Sequence, residues 1–437
     1  MKRITAVLLR AGVFAAVLLA LWALLTLSAA VPNDSIYGNM LSSAEYYMET
    51  EPFQGEGQLR MRQDNYADAI LLNVAWNMGS GLPFSSALDT KYYDGGERGE
   101  NYGLYCSVTE NAAPNTDYTR YWHGMSALIR PLMLVTDVRG IKLIGEISAF
   151  LLLALNCALL LKKRQFFAAG AVPAAFLCVH IWDIGLAMEY QPAVLITLLL
   201  LPLYILMEKK DGALPLLAVI SGTMIAFFDF LTAETLTILI PLLTVFIIRK
   251  QEGRAVSLRG NVLMIADCGG AWLLSYAGTF LVKWGAASIA AGENKFLAAI
   301  TSAEVRMYGS AEQLSPAEQF FAAPLANIST LFGGTSRLDW GAVTAGILIS
   351  AAVTGAVFYL FHDRERFDRS FTLTMLILGA LPFVRFFLLN NHSYLHEFFT
   401  YRALASSILA VFAAVWFPLR FGRKKSSAKG GKKHGRA

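Results

Sequence analysis

Residues 213–248 read ALPLLAVISGTMIAFFDFLTAETLTILIPLLTVFII, and their only ionisable side chains are Asp229 and Glu234. A helix needs about 20 apolar residues to cross roughly 30 Å of hydrocarbon, so this run is long enough for two crossings. The two acids fall near its middle, where a tight turn would send the chain back. Arg249, Lys250, Arg254 and Arg259 follow closely, the flank expected on the cytoplasmic side of a membrane segment.

Working outward, similar apolar blocks recur near 8–31, 141–161, 166–184, 191–207, 261–283, 340–361, 370–389 and 402–419. The 437-residue chain is 55% hydrophobic and only 16% charged, against about 25% charged in soluble domains. Long uninterrupted blocks and few charges point to an all-α polytopic membrane protein with about ten transmembrane helices. Placing both termini in the cytoplasm puts every compact basic cluster inside: 162–164, 209–210, 249–259, 364–369 and the tail. The chain then divides into a first span (1–31), a large outer loop with juxtamembrane helices (32–139) and a six-span bundle (140–283). A second outer loop (284–338), three final spans (339–420) and a basic cytoplasmic tail (421–437) complete it. Ser28-Ala29-Ala30 resembles a signal-peptidase site, but the preceding run exceeds the usual length, so the first helix reads as uncleaved. Localisation in the plasma membrane follows.

The net charge of +5 gathers largely in the tail, among Arg420, Arg423, Lys424, Lys425, Lys429, Lys432, Lys433 and Arg436. Directly behind a span, that cluster is expected to touch anionic lipid headgroups rather than nucleic acid. Cys157, Cys178 and Cys268 fall in apolar blocks and only Cys106 in a polar one, so no disulfide framework or zinc site is expected. No phosphate-binding glycine loop or serine elbow has the required context.

In the first outer loop, Ala67, Ile70, Leu71, Val74 and Met78 share one helical face behind Asp64, a candidate N-cap. The expectation is a surface helix on the membrane or the bundle. Trp122 to Val138, broken by Pro131, reads as an interfacial helix. Ionisable groups then gather at the outer helix ends: Asp34, His180, Asp183, Glu189, Asp229, Glu234, Arg385, His392, His396, Glu397 and Arg402. Charges at a membrane boundary are candidate functional groups, and their shared side suggests one outward polar cavity; the bland reading is interfacial solvation. Asp267, about two turns from the cytoplasmic edge, is expected to be a carboxyl hydrogen-bonded beside Ser or Gly, with a proton relay as the alternative. His392 and His396 have i, i+4 metal-ligand spacing but lack the Glu after the first His.

A first helix, a long outer loop bearing acids, a bundle and a second outer loop together resemble the GT-C-type glycosyltransferases. Val31-Pro32-Asn33-Asp34, Asp64-Asn65-Tyr66-Ala67-Asp68-Ala69 and Arg120-Tyr121-Trp122-His123-Gly124 are similar to stretches of GT-C-like proteins of Gram-positive bacteria. So are Phe228-Asp229-Phe230-Leu231-Thr232 and His392-Ser393-Tyr394-Leu395-His396. The resemblance implies transfer of a sugar from a polyprenyl-phosphate carrier to an envelope glycan or lipid acceptor on the extracytoplasmic side. An outer-loop carboxylate would take the acceptor proton in an inverting displacement. Asp34 is the first candidate for that base, with Asp64 and Asp68 next. Arg385 and Arg402 would contact phosphate, His392 or His396 would assist, and Tyr121, Trp122, His123 and Asp229 would line the substrate site. A divalent cation, Mg or Mn, would serve the leaving phosphate if one is used. A polysaccharide polymerase or ligase, a transporter or flippase, and a non-enzymatic envelope scaffold stand as alternatives. No inverted repeat favours transport.

Overall fold

A computed structural model describes residues 2–55, 57–254, 257–309 and 314–420; the basic tail 421–437 lies outside the described residues. Helix α1 (Lys2–Ala29) leads into a unit of α2 (Asn33–Met48), α3 (Asn65–Met78), α4 (Pro83–Leu88), α5 (Gly99–Thr109) and α6 (Ser126–Leu132). Two small antiparallel pairs trim this unit: β1 (Phe53–Gln54) with β2 (Gln63–Asp64), and β3 (Lys91–Tyr92) with β4 (Thr116–Asp117). The bundle continues through α7 (Val138–Lys162), α8 (Phe166–Cys178), α9 (Gln191–Met207), α10 (Leu214–Phe228), α11 (Leu236–Gln251) and α12 (Leu258–Ala291). Next, α13 (Phe296–Tyr308) and α14 (Pro316–Leu331) occupy the second polar segment. The chain ends with α15 (Trp340–Phe361), α16 (Arg369–Leu388), α17 (Asn390–Leu395), α18 (Glu397–Thr400) and α19 (Leu404–Trp416).

The all-helical reading holds. Among the described residues, seven helical stretches are long and apolar enough to cross a membrane, consistent with a polytopic helical membrane protein. Each remaining apolar block is also helical, but α8, α10 and α11 are short, at 13, 15 and 16 residues. The helix expected to 184 stops at Cys178, and the segment from Val179 to Tyr190 folds into turns and two short 3₁₀ helices. Residues 229–235 are likewise irregular. Non-helical backbone at membrane depth is tolerated only where protein or a cavity satisfies it, and both segments border the site described below.

The loops gather in two sets. Arg249 of α11 meets the Glu208 carbonyl at 3.1 Å and Asp211 at 2.6 Å, while Arg254 pairs with Glu208. Lys250 reaches Asp368 at 2.7 Å, and Arg420 reaches Asp363 at 3.1 Å. These bonds tie the loops after α9, α11, α15 and α19 into one end of the bundle. Also toward that end, Arg10 and Asp267 form a two-pronged pair at 2.7 and 2.8 Å. Asp267 therefore uses an arginine of α1 rather than Ser or Gly.

The opposite end carries the two polar segments. Here α3 is more deeply packed than a surface helix: Ile70, Leu71, Leu72, Val74, Ala75 and Trp76 are all buried, because α2, α5 and α6 surround it and leave Tyr66 as its exposed residue. The predicted N-cap is present, with Asp64 accepting from the Ala67 N–H at 2.8 Å. The stretch from Trp122 is partly buried in the same unit, while Leu128, Leu134 and Val135 stay exposed. Trp122 and Arg130 are fully buried, and the Arg130 guanidinium is consumed by carbonyls of Ser28, Val31 and Ala75. Three residues of α12, within two helical turns, hold this unit in place. The Thr279 carbonyl accepts from the Trp122 indole at 2.8 Å, and Trp284 donates to the Arg120 carbonyl at 3.1 Å. Lys283 donates to the Leu88 carbonyl at 2.8 Å. Gly124 packs where a side chain would stand 2.5 Å from the Phe227 carbonyl oxygen, so only glycine permits that approach.

Candidate functional site

Two cavities meet at the end of the bundle that carries the polar segments. The larger, about 550 Å³, runs between α11, α12, α13 and α16, with Leu239, Leu242, Ile265, Leu273, Leu378 and Leu381 among its walls. The smaller, about 310 Å³, is polar and aromatic: Asp64, Glu189, His123, His392, His396 and Tyr118 face it. Arg120, Tyr121 and Arg306 border both, so the two spaces join at a pair of guanidinium groups.

The carboxylates of α3 have opposite fates. Asp68 is fully buried and fully engaged: it accepts from the Tyr47 hydroxyl at 2.9 Å and the Met188 N–H at 2.8 Å, and pairs with Lys142 at 2.7 Å. Both of its oxygens are engaged inside the protein, it lines neither cavity, and its work is to dock α2, α7 and the 188–190 turn onto α3. Asp64, one turn earlier, opens on the polar cavity. Burial pushes its carboxyl up, to about 6, against the opposing effect of its bond to Ala67. Glu189 lines the same cavity, its carboxyl pushed up by burial and then by Asp64, and its Oε1 is buried with no hydrogen-bond partner among the described residues.

The structure does not bring Asp34 to this place. It is exposed in the first turn of α2 and lines neither cavity. Proximity to a headgroup plane is a single coordinate, and the chain turns Asp34 outward while α3 carries Asp64 inward. Arg402 also lies elsewhere: it is buried over the Tyr190 ring at 4.6 Å and bonded to the Phe398 carbonyl at 3.3 Å. Arg385 borders the apolar cavity but is spent internally on Glu234 at 3.0 Å, Ser393 at 2.8 Å and the Leu231 carbonyl.

Leu231 has a left-handed backbone, φ 68°, costly for a branched side chain. Its carbonyl is gripped by Arg385 and by His392 Nε2, the latter at 3.0 Å. Asp229 caps the same turn through the Thr232 N–H at 2.8 Å, and burial raises its carboxyl to about 7. Asp229 thus shapes the wall, with its side chain outside both linings. Trp122 is likewise part of the packing and not of the cavity.

His392 and His396 do converge on the polar cavity, their rings 4.6 Å apart. Burial, then neighbouring cations, drives both below the usual histidine range, His396 to about 3. His123, φ 55°, is held at about 3 by burial and bonds the Tyr118 carbonyl at 2.8 Å. All three are neutral imidazoles at pH 7. Among the described residues no three His, Cys, Asp or Glu side chains gather as a cation site, so the expected Mg or Mn has no ready ligand set.

Arg120 and Arg306 are what the sequence reading missed. Arg120 lies over the Tyr118 ring at 4.2 Å, and Arg306 donates to the Ser302 carbonyl at 2.8 Å. Each Nε is buried without a hydrogen-bond partner, and neither guanidinium has a carboxylate partner among the described residues. The amphipathic spacing of Phe296, Ala299, Ile300, Ala303 and Met307 was the available signal that α13 folds back and brings Arg306 here. No family model, curated protein or solved structure matches this chain.

Proposed function

We propose that the protein is a membrane glycosyltransferase of GT-C type that moves a sugar from a polyprenyl-phosphate carrier to an acceptor in the cell envelope. In this reading ten helices cross the plasma membrane with both termini inside, and the two cavities face the extracytoplasmic side. One observation carries it: an apolar cavity of lipid-chain character joins a polar, aromatic one across Arg120 and Arg306. A lipid-phosphate sugar has the same order of parts: chain, anion, ring.

The chemistry then follows from this chain's own groups. The polyprenyl chain occupies the space between α12 and α16. Arg120 and Arg306 neutralise the phosphate with charge-assisted hydrogen bonds. The sugar lies in the polar cavity, where Tyr66, Tyr92 and Phe53 offer ring faces. Asp64 takes the proton of the acceptor hydroxyl as its oxygen attacks the anomeric carbon. The carbon–oxygen bond to phosphate breaks on the opposite face, its electron pair stays on the phosphate, and the configuration inverts. A transporter needs a route to the other end of the bundle, and the ion pairs gathered there weigh against one.

The test is genetic and chemical. Deletion should alter envelope glycan composition and cause a lipid-linked sugar to accumulate. Wild-type protein should restore both, and Asp64→Asn should insert normally and restore neither. Full complementation by Asp64→Asn would sink the reading.

A further inference from the structure

Two carboxyl groups in hydrogen-bonding contact cannot both be carboxylates, because an ionised carboxyl offers acceptors only. Asp64 and Glu189 both line the polar cavity, the Met188 N–H bond to Asp68 sets the turn that carries Glu189 against the first turns of α3, and each carboxyl is shifted by the other. Asp64 is 3% exposed and Glu189 8%, so water does not separate or solvate them. They come from distant parts of the chain, the start of α3 and the short 3₁₀ turn Met188–Tyr190.

We infer that Asp64 and Glu189 hold one proton between them, with Glu189 as the donor that orients Asp64 and keeps it a single ionised base facing the cavity. The asymmetry rests on geometry. Asp64 sits at a helix N-terminus and already accepts the Ala67 N–H, both of which favour its charged form. Glu189 has no such donor, and its Oε1 is buried without a partner, an arrangement tolerable for a neutral acid and costly for an anion. Glu189 is therefore a positioning residue, and the inference rests on the glycosyl-transfer reading for its use. It changes the reaction in one respect: the base works only while its neighbour keeps the shared proton, because two charges so close would repel and turn Asp64 away.

Other charged and titratable groups face the pair from each packed element: Arg62 before α3, Asp68 on α3, Tyr47 of α2, Tyr190 beside Glu189, and Asp229 from the 229–235 turn. Across the cavity lie Arg120, Arg306, Asp117, Tyr118 and the three histidines. Of these, Asp68 is held by Lys142 and Asp229 by Thr232, so neither competes for the shared proton.

The experiment uses the full chain in detergent or liposomes. Infrared difference spectra across pH 5–9 should show the carbonyl band of a strongly hydrogen-bonded protonated carboxyl, distinct from that of Asp229, which burial also keeps protonated up to about pH 7 and which Asp229→Asn removes. Glu189→Gln, close in shape and still a donor, should abolish that band, and Asp64→Asn should shift it; an unchanged thermal unfolding curve shows that each variant is folded. In transfer assays the wild type should lose rate on both the acid and alkaline sides, as coupled groups do. Glu189→Gln should keep the acid limb and lose the alkaline one, a change that a merely structural role would not produce. A band that survives Glu189→Gln overturns the shared proton whatever the transfer activity. A band that is lost while no glycosyl transfer is found supports the pair and counts against the transfer reading alone.

Discussion

Both ends of the bundle hold ion pairs, but one also turns unpaired charged groups into a cavity. At one, Arg249, Arg254, Lys250 and Arg420 each close on a carboxylate of a neighbouring loop. At the other, Arg120 and Arg306 meet no carboxylate among the described residues, while Asp64 faces Glu189, a group of its own sign. Paired charges fasten loops together and ask for nothing further. Unpaired buried charges are costly, so in the proposed reading the second end is the one that takes the ligand.

The largest test of that contrast is Asp64→Asn. The amide still caps α3, so the fold should hold, while the transfer rate falls by roughly 10²–10⁴, the usual worth of a general base. The wild-type rate should fall as pH drops through about 6, because burial has raised this carboxyl and protonation removes the base. A flat profile from pH 7 to 5 would remove Asp64 from that role. Asp68→Ala addresses its neighbour. It should cost about 3–5 kcal/mol of stability, because Lys142 is left buried and unpaired, as read by denaturant or thermal unfolding.

Arg120→Gln and Arg306→Gln should each weaken lipid-phosphate use by roughly 10–100-fold, the range of a lost charge-assisted bond. Measured as kcat/KM against a polyprenyl-phosphate sugar, an equal loss from Arg402→Gln would erase the distinction between facing the cavity and lying outside it. Arg10→Leu should do least. Its pair with Asp267 is partly exposed and lines neither cavity, so transfer should stay within about twofold, as for most exposed pairs.

Much of this contrast was legible in the chain, though unevenly. Apolar blocks give their helices away, and Asp64 announced itself as a cap through its place before an apolar face. The concentration of acids and histidines at one set of helix ends was visible as well. What stayed hidden was partnership. Asp64 and Asp68 look equivalent in sequence, and only the tertiary arrival of Tyr47, Met188 and Lys142 separates a fastener from a reactive group. Arg385 and Arg402 looked free because a sequence shows charge without showing the carbonyls that absorb it. Asp34 drew notice by its place along the membrane normal, which says nothing of direction around the bundle axis. Arg306 was invisible because its value depends on α13 folding back over the cavities.

One last consequence concerns α12. Its 34 residues span about 51 Å at 1.5 Å per residue, well beyond the roughly 30 Å of hydrocarbon. Its final turns, at Thr279, Lys283 and Trp284, hold the segment that carries Arg120. The helix is thus a mast, stepped in the lipid and rigged to the upper unit. When the mast leans, Arg120 leans with it, so in the proposed reading the height at which the lipid phosphate is met is indexed to the bilayer slab and not to the water above it.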